Sequence, residues 1–326
     1  MKKTILFHIY QILKTFSDEE HPLTRREIQK LLETQYDIQI ERHTFTSYID
    51  ALIEAGVDIQ SRDDNSNGTA LRFFLGERSF EKSEIHLLCN AIYSSHFIPE
   101  TESKQLIQKL LHTQSKYVYQ SFYPNIYLKN SNKSLNHDFF LNIEVILEAV
   151  QQNKAISFDY MKYDYNKKMI PRKDKKYIVH PYHIVYANEN YYLLCQKDDY
   201  TNLSHYRIDK MKNIIITALP IRPIEKDFNP YEYCKTKIYM YGGNVETFTI
   251  LCDHFILDDM IDRFGQDIYI QKKNDKEFLA IIKSSKQGML YFALQYMNYC
   301  TIIEPADVRE EFIDILKCNL KKYASK

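Results

Sequence analysis

Residues 180–211, HPYHIVYANENYYLLCQKDDYTNLSHYRIDKM, interleave aromatic rings with cations. Tyr182, Tyr192 and Tyr206 offer ring faces on which bases can stack, while His180, His205, Arg207 and Lys210 offer donors to phosphate. That chemistry suits a nucleotide or a short single strand of nucleic acid. Asp209 would repel an anionic ligand by its own charge, so its expected role is to orient Arg207. The same residues admit another reading. Tyrosines at a period of two fill a β core with their hydroxyls hydrogen-bonded, and Arg207 and Asp209 form a structural ion pair.

A second group lies near the N-terminus. In ERHTFTSYIDALIEAG, Phe45, Tyr48, Ile49, Leu52 and Ile53 form one apolar helical face, and the other face carries Arg42, His43, Thr46, Ser47 and Asp50. Gly56 follows as the left-handed stop residue. Two helices precede it: KKTILFHIYQILKTF, with Ile5, Leu6, Ile9, Ile12, Leu13 and Phe16 on one stripe, and HPLTRREIQKLL, opened by a Thr24/Glu27 capping box. Two alternating runs, VDIQSR and TALRFFL, then flank DDNSNG, whose Asn-Gly is a hairpin signal. Three helices and a hairpin make a winged helix-turn-helix. In that arrangement Arg42, His43, Thr46 and Ser47 face bases, and Thr24, Arg25, Arg62 and Arg72 face phosphates. The alternative is that these polar residues are a solvated face, or that the module contacts protein. Residues 1–78 carry 10 Lys and Arg against 13 Asp and Glu, which does not favour DNA, whereas residues 154–212 carry 12 against 7.

No enzyme is expected. The chain has seven glycines and no phosphate-cradling loop, no G-x-S-x-G elbow and no H-E-x-x-H. His180 with His183, and Cys252 with His254, are metal-like pairs without a second pair at a suitable distance, so neither metal nor cofactor is expected. Six scattered cysteines without a C-x-x-C fit reduced thiols. There is no apolar run of about 20 residues and no leader pattern, so the expectation is a soluble, cytoplasmic protein without a membrane partner.

At 326 residues the chain exceeds one core, and its periodicities divide it. Residues 1–78 read as the winged helix. Residues 79–153 read as a helical connecting segment containing SFEKSEIHLLCNAIYSSHF, ETESKQLIQKLLHTQ and HDFFLNIEVILEAVQQN, with a polar stretch near residues 129–137. Residues 154–220 hold five short strands, AISFDYMKY, KYIVHPYHIVYA, YYLLCQ, LSHYRI and NIIITA, with turns that include Asp198-Asp199, and suggest a small barrel. Residues 230–326 run β-α-β-β-α-β with a last helix from about Ala306, a ferredoxin-like order. The fold class is α+β and multidomain.

The 180–211 stretch resembles the WYL domain of bacterial transcriptional regulators. The signature corresponds to Tyr191-Tyr192-Leu193, preceded by Pro181-Tyr182 and followed by Arg207-Ile208-Asp209-Lys210. Tyr191 stands in place of tryptophan and Lys210 in place of the last arginine, which removes the bidentate phosphate geometry there. ERHTFTSYIDALIEAGVDI is similar to the winged helix that precedes such domains, and MIDRFGQDIYI and EPADVREEFIDILKCNLKKY resemble the extension that follows them. The resemblance implies an Sm- or SH3-like barrel that senses a ligand and a C-terminal extension that shapes the site or dimerises. It implies a homodimeric, ligand-responsive regulator with a double-stranded operator and a nucleotide or single-stranded nucleic acid effector. The alternative is an accessory protein that controls a partner enzyme or defence system without reading DNA sequence.

Overall fold

The computed structural model describes residues 2–63, 71–122, 133–197, 200 and 202–324. The chain divides into two compact units, Met1–His137 and Asp138–Lys326.

The first unit opens with α1 (Lys2–Phe16), α2 (Arg25–Tyr36) and α3 (Arg42–Glu54). Their apolar stripes meet in a core that includes Ile9, Ile12, Leu13, Ile28, Leu32 and Phe45, each at most 1% exposed. Burying such a side chain contributes roughly 1.5–3 kcal/mol. The expected capping box starts α2: the Thr24 hydroxyl accepts from the Glu27 amide at 3.3 Å, and the Glu27 carboxylate accepts from the Thr24 amide at 2.7 Å. Past α3 the chain turns at Gly56, whose φ of +86° lies in the region that a side chain disfavours. Three strands follow or flank the helices: β1 (Leu23–Thr24), β2 (Ile59–Asp63) and β3 (Leu71–Leu75), in the order β1-β3-β2. β1 has no counterpart among the sequence expectations because two residues carry no periodicity. The Asn67-Gly68 turn lies outside the described residues, as do the Asp198-Asp199 turn and residues 129–132 of the polar stretch.

Next come α4 (Lys82–Ser94), α5 (Glu100–Leu111) and α6 (Lys116–Phe122), packed through Ile85, Cys89, Ile107 and Leu111. A buried polar hub joins them to the first three helices. Asp18 accepts from the Ser115 hydroxyl at 2.5 Å and from the His21 and Glu20 amides at 2.9 and 3.1 Å, and Arg78 donates to the Ser17, Lys14 and Thr113 carbonyls. Burial raises the Asp18 carboxyl, but the hydrogen bonds from Ser115 and His21, and the His21 charge, outweigh it and hold the group below the ordinary aspartate value.

The second unit begins with α7 (Phe139–Gln151), not with the first strand. This corrects the expected 79–153 connecting segment. Asn142 on α7 is buried and donates to the Met211 carbonyl at 2.8 Å, and the Phe139 ring meets Tyr191 edge-on at 6.0 Å, so the helix belongs with the strands. Six strands follow: β4 (Lys154–Tyr163), β5 (Met169–Pro171), β6 (Tyr177–Ala187), β7 (Asn190–Lys197), β8 (Leu203–Arg207) and β9 (Met211–Pro220). They pair in the order β5-β4-β6-β7-β8, with β9 on β4. β5 is the strand added to the expected five. It is a three-residue edge closed by a proline that cannot donate to a ladder, so it shows no alternation to read.

After a short α8 (Pro230–Lys235), β10 (Val245–Asp253), α9 (Leu257–Phe264), β11 (Tyr269–Lys272), β12 (Glu277–Ser285), α10 (Lys286–Gln295) and β13 (Cys300–Glu304) form an antiparallel sheet in the order β11-β12-β10-β13. Phe248, Ile250, Phe292 and Ile302 fill its core, and the last helix, α11 (Ala306–Ala324), adds Val308 and Phe312. No described helix is long and apolar enough to cross a membrane.

Candidate functional site

Cross-strand register sorts the expected ligand residues. β7 and β8 pair Tyr192 with Arg207, Leu193 with Tyr206 and Leu194 with His205. Side chains alternate along a strand, so Tyr192, His205 and Arg207 share one face and Tyr206 stands on the other. There Tyr206 meets Phe158, Tyr160 and Tyr177 edge-on, with centroids 5.2, 5.0 and 5.5 Å apart. Its ring is spent on core packing, which corrects its expected role as a stacking platform. Burial, with the neighbouring Cys195, Tyr177 and Tyr160, pushes its hydroxyl well above the ordinary tyrosine value.

Three further ligand expectations are corrected, two by burial and the third by hydrogen bonds. His180 is 4% exposed, and its Nδ1 accepts from the Arg222 amide at 3.2 Å. Tyr182 is 6% exposed, occupies an irregularity in the β6–β7 register and donates to Gln196 Oε1 at 3.2 Å. His205 has both ring nitrogens engaged, Nδ1 3.0 Å from the Met240 carbonyl and Nε2 2.8 Å from the Tyr233 hydroxyl. A carbonyl only accepts, so Nδ1 carries the proton and Nε2 accepts from Tyr233. Burial, reinforced by the Lys237 charge, lowers this histidine below its ordinary value, against the pull of the Met240 hydrogen bond. It fastens the sheet to the segment that leads into β10.

Arg207, Lys210 and Tyr192 remain, and the structure brings them together. Arg207 donates from Nε to Asp209 Oδ1 at 3.0 Å and from Nη2 to Asp209 Oδ2 at 2.8 Å, a two-point pairing that fixes the guanidinium plane. Asp209 is buried and Arg207 half-buried. No described group bonds Nη1, so one edge of the guanidinium has donors to spare. Its backbone amide donates to the Tyr160 hydroxyl at 3.4 Å. Lys210 follows in the turn of 3-10 helix over Ile208–Lys210, half-buried, with its ammonium 6.0 Å from the Tyr163 ring and no described hydrogen-bond partner. Burial and the charges of Arg207 and Arg172 lower its pKa below the ordinary lysine value, with Asp209 opposing. The Tyr192 hydroxyl is held above its ordinary value by burial, Asp209 and Tyr241, with Arg207 opposing. The result is a corner with two half-buried cations, a third at Arg172, and one carboxylate already committed. An anion placed there relieves the mutual repulsion of the cations.

Of these neighbours, Tyr160, Tyr163, Arg172 and Tyr241 were not among the expected site residues. Arg172 belongs to the PRKDKK run that supplies much of the mid-chain basic excess, which was the available signal. The others come from β4 and from a loop some eighty residues further along the chain, and no local pattern links them to Arg207.

In the first unit, Arg42, His43, Thr46 and Ser47 are all exposed on α3. His43, Thr46 and Ser47 line an open groove with Asp50, Ala51 and Glu54, while the Thr46 hydroxyl bonds back to the Arg42 carbonyl at 3.3 Å. Arg25 is half-buried. Arg62 pairs with Glu19 at 3.2 Å, an exposed contact of about 0–1 kcal/mol that a phosphate can displace. One phosphate expectation, Thr24, is corrected, and Arg72 keeps part of its surface. The Thr24 hydroxyl is consumed by the capping box, donating to Glu27 Oε2 at 2.8 Å, and Arg72 is half-buried, with Nη1 3.5 Å from the Pro22 carbonyl and 4.0 Å from Glu27.

Residues 142–216 match the family model of the WYL domain. No curated protein matches the chain. Among solved structures, one similar chain is the proteasome accessory factor B/C (PafBC) of Arthrobacter aurescens, 12% identical, over 95% of this chain and 46% of that one, with a TM-score of 0.28. This chain thus spans about half the length of that relative. A CRISPR Cas-related protein is 15% identical over 99% of this chain and 86% of its own, with a TM-score of 0.40. The strands that carry Tyr192 and Arg207 fall inside the matched segment, and the chain carries a WYL domain over residues 142–216.

Proposed function

We propose that the chain is a regulator rather than an enzyme: a cytoplasmic, homodimeric transcriptional regulator whose WYL domain, an Sm- or SH3-like barrel, senses a nucleotide or a single-stranded nucleic acid. In this reading α1–α3 with the small sheet act as a winged helix on duplex DNA, and the ferredoxin-like C-terminal module assists assembly. The observation that carries the ligand assignment is the corner at Arg207 and Lys210, where the chain's WYL segment offers spare guanidinium and ammonium donors and the Tyr192 ring lies cross-strand from Arg207. Cations supply phosphate contacts and the ring supplies stacking. A second reading, in which the N-terminal unit contacts a protein, draws support from Asp50 and Glu54, two carboxylates in the α3 groove.

The test is titration of the purified chain with thymidine monophosphate and labelled single-stranded oligonucleotides, alongside Arg207→Ala whose fold is verified by circular dichroism. The expected outcome is binding that weakens in the variant. Absence of binding to the wild type, or equal binding by the folded variant, returns Arg207 to a structural partnership with Asp209.

A further inference from the structure

The hairpin formed by the end of β4 and by β5 projects a charge of which the Arg207 corner uses only Arg172. Residues 162–176 carry seven Lys and Arg against Asp164 and Asp174, and all seven cations are exposed. One of the two acids has a structural task. Asp164 Oδ1 accepts from the Asn166 and Lys168 amides at 3.0 and 2.8 Å, which shapes the tip of the hairpin. The arm is built rather than loose: Met161, Lys162 and Tyr163 pair with Pro171, Ile170 and Met169, and the Arg172 amide donates to the Tyr160 carbonyl at 2.8 Å. Rings are interleaved with the cations. Tyr165 at the tip is fully exposed, Tyr163 is 48% exposed, and Lys173 lies 5.6 Å from the Tyr177 ring.

The arm is continuous with the corner. Lys210 approaches the Tyr163 ring, and the charges of Arg172 and Arg207 both act on Lys210. From Tyr160, whose hydroxyl accepts from the Arg207 amide, to Tyr163 at the end of β4 the strand advances roughly 10 Å, and Tyr165 lies in the turn beyond, so a ligand seated at Arg207 that also touches the tip must be longer than one nucleotide. A rigid, basic surface with ring faces on offer is the composition that binds single strands, since duplexes keep their bases stacked on each other.

We propose that this arm extends the Arg207–Lys210 corner into a track for single-stranded nucleic acid several nucleotides long, an inference that rests on the ligand reading above. Binding should therefore grow with strand length, and the added affinity should be lost when the arm is altered.

The experiment uses the full chain with three probes: thymidine monophosphate, a labelled oligodeoxythymidine of about 12 nucleotides, and the same strand annealed to its complement. Two variants are compared with the wild type: Lys167→Ala combined with Lys168→Ala and Lys173→Ala, and Tyr165→Ala. All four positions are exposed, so the fold is not at stake. The expected result is that the triple variant loses roughly tenfold or more in affinity for the long strand, with its log–log salt slope smaller by about 2. Binding of the monophosphate stays unchanged. Tyr165→Ala lowers affinity for the strand and leaves the slope alone. If length brings no gain, or the triple variant matches the wild type, the inference falls while Arg207-dependent binding of the monophosphate preserves the underlying reading. If neither monophosphate nor strand binds the wild type, both fall. Equal or tighter binding of the duplex overturns the single-strand assignment, as does arm-dependent binding of vesicles of phosphatidylserine and phosphatidylcholine without binding of the strand.

Discussion

Arg207 and Asp209 show what a charged pair two residues apart in sequence does when one partner is buried. Asp209 aims the guanidinium, and the spare edge faces outward. The two roles separate experimentally. Asp209→Asn leaves a half-buried guanidinium without its counter-charge, and because Arg207 keeps 32% of its side-chain surface the expected cost to stability is only about 1–2 kcal/mol, read by urea denaturation. Affinity for a single strand should fall while the salt slope stays that of the wild type, because the phosphate-contacting cation is still present. Arg207→Ala should lower the slope by about 0.7, the loss of one contact. A reduced slope in Asp209→Asn would mean that the carboxylate does more than position the arginine. This arrangement was legible in the sequence because Arg207, Asp209 and Lys210 lie within four residues. Tyr206 was not, because its neighbours Phe158, Tyr160 and Tyr177 come from two other strands, and the face that a strand buries is decided by its partners.

At the scale of elements, periodicity located α1 to α5, α7 and most strands, and it failed where an element is too short to show a period, as in β1, β5, α6 and α8. It also failed on attachment. The apolar stripe of α7 says that the helix is buried but not against what, and the deciding contacts, from Asn142 to Met211 and from Phe139 to Tyr191, span dozens of residues. The His205 clasp is of the same kind, since Tyr233 and Met240 lie in a segment without regular pattern. Its titration gives a prediction with a definite sign. The folded pKa lies below the ordinary value of 6.5, so the neutral ring stabilises the folded state above about pH 6.5, and that contribution is lost as pH falls through the folded value. A protonated ring cannot accept from Tyr233. Stability of the wild type should drop more steeply between about pH 7 and pH 5 than that of His205→Gln, measured by urea midpoints at each pH. Parallel curves would show that His205 does not carry the dependence.

For the whole molecule, the two compact units pose the question of communication, since the α3 face and the Arg207 corner lie in different units. If the single strand acts as an effector, it must bind one state of the chain better than another, and the free energy of coupling is then reciprocal. The prediction is quantitative. Saturation with an oligodeoxythymidine should change the affinity for the chain's own upstream duplex by roughly 5–150-fold, and that duplex should change the affinity for the strand by the same factor. Arg207→Ala should remove the effect of the strand yet leave duplex binding in its absence unchanged. Arg42→Ala, at the exposed start of α3, should lower duplex affinity and its dependence on base sequence by about 1–3 kcal/mol at particular positions, leaving strand affinity without duplex as it was. Competition is the obvious confounder, because one basic surface that takes either nucleic acid also produces apparent antagonism. The variants separate the cases: under competition Arg207→Ala weakens both ligands together, whereas under linkage it weakens only the strand. Fluorescence anisotropy at fixed salt, titrating each ligand with and without the other, supplies all four affinities. Unequal factors would break the cycle and point to a second binding site. A factor of one in both directions, with Arg207-dependent strand binding intact, would make the corner a nucleic acid site uncoupled from duplex binding.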